Sequence, residues 1–123
     1  MGLDTTHDCW HGPYSAFMQW RAELHRYIHP EHERTLNTID RLNKAWEQGL
    51  YDDQSEPINI LMNHSDCDGR IHHEDTLPLA HALELLLGKI PARGLYDRVR
   101  PATERFIKGL RMAHEAGEDV LFR

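Results

Sequence analysis

TLPLAHALELLLG, residues 76–88, decides the fold class. Leu77, Leu79, Ala80, Leu83, Leu86 and Leu87 recur at helical spacing, and the stripe is wide enough for a helix buried among others. Gly88 stops it. Pro78 blocks the amide bond that a helix begun near His73 would need, so Thr76 is the expected cap and Leu77 the expected first regular residue. Upstream, Phe17, Trp20, Leu24, Tyr27 and Ile28 mark a first helix after Ser15, closed by His29-Pro30. A second is expected from Pro30, with Glu31 and Glu33 at its positive end and Leu36, Ile39, Leu42, Trp46 and Leu50 turned inward. Ser55 and Pro57 open a short third helix over 56–63. After a loop over 88–97, Pro101 opens a fifth, with Phe106, Ile107, Leu110 and Ala113 inward and Gly117 as its terminator. Val120, Leu121 and Phe122 form an apolar tail expected to pack back. The expected fold is all-α: one domain over 1–123, a small bundle of about five helices, with 1–13 as an irregular N-terminal segment.

Between the third and fourth helices lies HSDCDGRIHHED, residues 64–75. It resembles the twelve-residue EF-hand calcium loop. Asp66 and Asp68 stand at positions 3 and 5, Gly69 at the sharp turn of position 6, and Arg70 at position 7, where the backbone carbonyl is the ligand. Ile71 stands at position 8, which pairs with a partner loop; His72 stands at position 9 and Asp75 at position 12. Such a loop wraps oxygen ligands around a hard cation. The resemblance implies an EF-hand-like helix-loop-helix with Ca²⁺ or Mg²⁺ held by His64, Asp66, Asp68, Arg70, His72 and Asp75. Two positions depart from the pattern: His64 replaces an aspartate, and Asp75 is one methylene shorter than the usual glutamate. Asp-x-Asp-Gly also makes a good turn without metal. The HSDCDG segment, Tyr14-Ser15-Ala16-Phe17 and the closing ATERFIKGLRMAHEAGE at 102–118 further resemble an uncharacterised family of small helical proteins of bacteria and their phages. That likeness implies a cytoplasmic setting and no particular activity.

Ten histidines among 123 residues raise zinc as well. His64, Cys67, His72 and His73 form one possible Zn²⁺ set, which would suit a metal-dependent enzyme. His25, His29 and His32 read as exposed histidines at a helix corner, His7, Cys9 and His11 as part of a loose terminus, and His81 and His114 as packed histidines. Ser65 beside His64 and Asp66 is adjacency, not a triad. Cys9 and Cys67 read as free thiols. With 14 basic and 20 acidic residues the net charge is −6, which argues against general nucleic-acid binding. Arg93, Arg98, Arg100, Arg105, Lys108 and Arg111 leave a DNA-binding regulator as a third reading. No apolar stretch is long enough to span a membrane. The expected function is a non-enzymatic binding or interaction module whose loop holds a cation weakly or serves as a scaffold. Its partner would be another protein or a second copy, with Ile71 pairing loop to loop.

Overall fold

The structure, a computed structural model, describes residues 2–32, 35–92 and 98–123. Glu33 and Arg93 lie outside the described residues, as does the end of the 88–97 loop. Five helices dominate the described residues: α1 (Tyr14–Ile28), α2 (Thr38–Glu47), α3 (Pro57–Met62), α4 (His73–Leu87) and α5 (Val99–Ala116). Four short strands accompany them: β1 (Gly2–Asp4), β2 (His11–Pro13), β3 (Arg70–Ile71) and β4 (Val120–Leu121), in two antiparallel pairs. The chain is therefore mostly helical, with two small two-stranded sheets that the all-α expectation lacked.

α4 and α5 make the most extensive helix contact, and α1 packs across α2 and α5. Leu79, Ala80 and Leu83 meet Phe106, Leu110 and Ala113 in one core with Phe17, Trp20 and Leu24. α5 ends as expected: Gly117 adopts φ +66° and Glu118 N–H returns to the Ala113 carbonyl. α2 starts at Thr38, not Pro30, because Asn37 caps it by accepting from Asp40 N–H at 2.9 Å. α4 starts at His73, not Leu77. Its first amide donates to Asp119 Oδ1 at 2.7 Å, so the cap comes from the far end of the chain, and Pro78 sits inside the second turn. The Thr76 hydroxyl bonds back to the His73 carbonyl at 2.6 Å.

The N-terminus is a hairpin, not an irregular segment. Leu3 of β1 pairs with Gly12 of β2 and is buried at 1% exposure. Both chain ends are tied together. β4 pairs with β3, with Ile71 opposite Val120. Beyond it Phe122 bridges Thr5, and Asp4 and Arg123 exchange two backbone bonds at 2.9 and 3.0 Å. The tail is thus held along both edges, and the strand edge at Ile71 is filled from within the chain.

Where α5 crosses the 3-10 turn at Thr6–Asp8, Gly109 allows the approach. A Cβ there would lie 2.4 Å from Cys9 Sγ and 2.7 Å from the His7 carbonyl oxygen. Helix propensity alone favours Gly109→Ala by about 1 kcal/mol, but overpacking of a tight core costs about 1–3 kcal/mol. The expected outcome in urea melts is a net loss on the order of 1 kcal/mol. A more stable variant would show that the turn does not press on α5.

Candidate functional site

The loop between α3 and α4 passes through the short strand β3. Gly69 takes φ +87° at position 6, Arg70 and Ile71 form β3 at positions 7 and 8, and α4 begins at position 10. His64, Asp68, Arg70, His72 and Asp75 line one cavity of about 390 Å³ beside it. Asp66 is not in that lining; its charge is felt instead by the buried guanidinium of Arg21.

The imidazole of His64 lies at the heart of the loop. Its Nδ1 is 2.8 Å from the Ser65 carbonyl oxygen and its Nε2 is 3.0 Å from the Arg70 carbonyl oxygen. Both partners are carbonyl oxygens, which only accept. One side of the ring packs on Phe122, with centroids 4.0 Å apart. Gly69 lies close by: a Cβ there would come within 3.4 Å of Cε1.

Three features of this arrangement depart from a Ca²⁺ or Mg²⁺ loop. Position 1 offers no oxygen, the position-7 carbonyl is engaged by the ring, and Asp66 lies outside the cavity lining. The zinc candidates have other partners. His73 Nδ1 lies 3.3 Å from Asp119 Oδ1 and His72 Nδ1 lies 3.9 Å from Oδ2, while the exposed Cys67 thiol sits 3.5 Å from Ser65 Oγ. The His73 backbone N–H and the Arg70 guanidinium hold the Asp119 carboxyl below the usual carboxylate range. Among the described residues no three His, Cys, Asp or Glu side chains come together to hold a metal ion.

The remaining histidines differ from their sequence reading. His25 is fully buried, and His25, His29 and His32 cluster with Tyr51. His81 and His114 are exposed, not packed. His7 and Cys9 are ordered in the N-terminal turn, where His7 Nε2 meets Glu118 Oε1 at 3.0 Å and Cys9 is fully buried. Burial pushes the Cys9 thiol up to about 12, which makes it a poor thiolate source. Both cysteines are free. The late basic residues are interspersed with acids, as the charge pattern suggested: Arg100 pairs with Glu104, Arg105 with Asp8 and Arg111 with Glu84.

A second site was not legible in the sequence. A cleft of about 920 Å³ opens between the N-terminal hairpin, α1 and the start of α5. Its floor is a pair of indoles, Trp10 and Trp20, with centroids 5.2 Å apart and planes at 24°. Phe106 backs Trp20 at 5.1 Å, and Trp20 Nε1 donates to Thr103 Oγ1 at 3.0 Å, which fixes the lower ring. Half-buried Trp10 lies over it. Arg26, Arg98 and Arg105 line the mouth. Glu23 positions Arg26 at 3.0 Å, and Arg105 reaches the carboxylate and carbonyl of Asp8. The one available signal was Trp10 itself, a large aromatic in a polar segment that needs a partner to be buried.

No family model matches the chain, and no curated protein and no solved structure matches it. Among the described residues no helix is long and apolar enough to cross a membrane.

Proposed function

We propose that the chain is a small helical binding module whose ligand site is the cleft over Trp10 and Trp20. The ligand class that fits is a planar ring bearing an anionic group. The observation that carries this reading is the stacked indole pair beneath an open cleft whose mouth holds three arginines. Indole surface offers large contact area at low entropic cost and accepts a ring by offset or edge contact. Guanidinium groups bind carboxylate, sulfonate or phosphate through paired N–H donors. Glu23 and Asp8 already orient two of them, so less freedom is lost when a ligand arrives. The EF-hand-like helix-loop-helix is structural in this reading, and the cleft's one thiol, Cys9, is not placed as a nucleophile.

The probe is 8-anilinonaphthalene-1-sulfonate, an anion built on a planar naphthalene ring. Its fluorescence should rise on titration with the folded protein. Ala16→Trp, which puts an indole into the cleft from an exposed position of α1, should weaken binding at least about tenfold, and Arg98→Ala should weaken it several-fold. Equal dye binding by all three proteins would end this reading.

A further inference from the structure

We infer that the His64 imidazole stands in the place of the cation in the EF-hand-like loop, and β4 in the place of the partner loop, so that the segment closes without metal. A calcium loop gathers its inward oxygens around one centre, and its position 8 pairs with a neighbouring strand. Here the ring bridges the Ser65 and Arg70 carbonyls, and the second of these is the backbone ligand of the pattern. The strand need is met by Val120 opposite Ile71. The two substitutes are coupled: Phe122 N–H donates to the Gly69 carbonyl at 2.9 Å, and its ring packs against that of His64 at a tilt of 33°. Arg21 secures the near end by donating to the His64 carbonyl at 2.7 Å. Asp119 secures the far end, binding the Arg70 guanidinium at 3.0 Å and the first amide of α4. The departure at position 1 is thus what lets the loop stand alone, and the inference is independent of the cleft.

The test is thermal melting of the full chain in EDTA, in millimolar calcium chloride and in millimolar magnesium chloride. The wild-type Tm should be the same in all three. A rise with either ion that Asp68→Asn removes would overturn the inference. His64→Asp removes both ring bonds and puts an anion among carbonyl oxygens, so it should melt several degrees lower in EDTA and recover part of the loss in calcium. A His64→Asp protein that melts like wild type in EDTA, or that ignores calcium, would also overturn it. If that variant does not fold, His64→Gln takes its place and should melt below wild type equally in EDTA and in calcium; a metal-dependent melt would count against the inference.

Discussion

Arg21→Met is expected to cost about 3 kcal/mol of stability and to lower the Tm by about 10 °C. Arg21 is only 3% exposed on α1, yet its charge is held inside the molecule. Its Nη1 donates to the His64 carbonyl at 2.7 Å and to the Leu61 carbonyl at 3.3 Å. Leu61 lies in the last turn of α3, where a cation is favoured by the helix dipole, and His64 follows α3 by two residues. The guanidinium carbon lies 4.5 Å from the Phe17 ring centroid and 5.5 Å from that of Trp46. Burial pulls the pKa of Arg21 down to about 10, with the nearby charge of Asp66 acting the other way, so it stays charged at neutral pH. Methionine keeps most of the apolar stem and removes the donor, leaving the His64 carbonyl without the partner that Arg21 supplied, while the Leu61 carbonyl keeps His64 N–H at 3.2 Å. Amide exchange at Phe122, whose N–H closes on Gly69, should quicken with the loss. A variant as stable as wild type would mean that water satisfies the His64 carbonyl.

What could be read in the sequence is what local chemistry decides. The stripe of α4, the Pro57 start of α3 and the left-handed Gly117 after α5 depend on neighbours within a few residues, and each appears where its pattern predicts. The start of α4 was misplaced because its capping carboxylate, Asp119, lies 46 residues from His73 in sequence. The N-terminal hairpin was missed for a related reason. Its strands have three residues each, and the turn between them holds two non-glycine residues, His7 and Asp8, at φ +61° and +58°. No Asn-Gly or Asp-Gly signal announces such a turn, and its stability comes from pairing with the opposite end of the chain. In the loop, the turn at Gly69 was legible from Asp68-Gly69, and the residue takes φ +87°, whereas only the distances around His64 show that its ring bridges the Ser65 and Arg70 carbonyls. The cleft was signalled by Trp10 alone, since its floor joins Trp10 to Trp20 and its far wall comes from α5.

The buried histidine cluster makes the fold sensitive to acid in a defined window. Gln48 Oε1 accepts from His32 Nε2–H at 3.2 Å, which leaves His32 Nδ1 as the acceptor for His25 Nε2–H at 2.8 Å. His25 Nδ1 is then an acceptor too, and takes the hydroxyl proton of Tyr51. One neutral tautomer of each ring satisfies the whole chain. Protonating His25 would turn both its nitrogens into donors facing Tyr51 and His32, inside the core. Burial chiefly, helped by the charges of His32, His29 and Arg41, lowers the pKa of His25 from 6.5 to about 4, with Glu31 opposing. The unfolded chain therefore binds this proton first. Stability should be level above about pH 6.5, fall as the pH drops toward 4, and be lower by on the order of 2 kcal/mol at about pH 4.5. The carboxylates act lower down. Asp8, Asp53 and Asp119 are held below 3.8 and Glu31 below 4.5, so what they contribute is lost only as the pH falls below those values. Urea melts across the range separate the two. The double variant His25→Leu with Tyr51→Phe removes both ends of the buried bond, so no polar group is stranded between them. It should melt with a flat profile between pH 6.5 and about 4.5, whereas an undiminished slope would place the acid sensitivity elsewhere in the molecule.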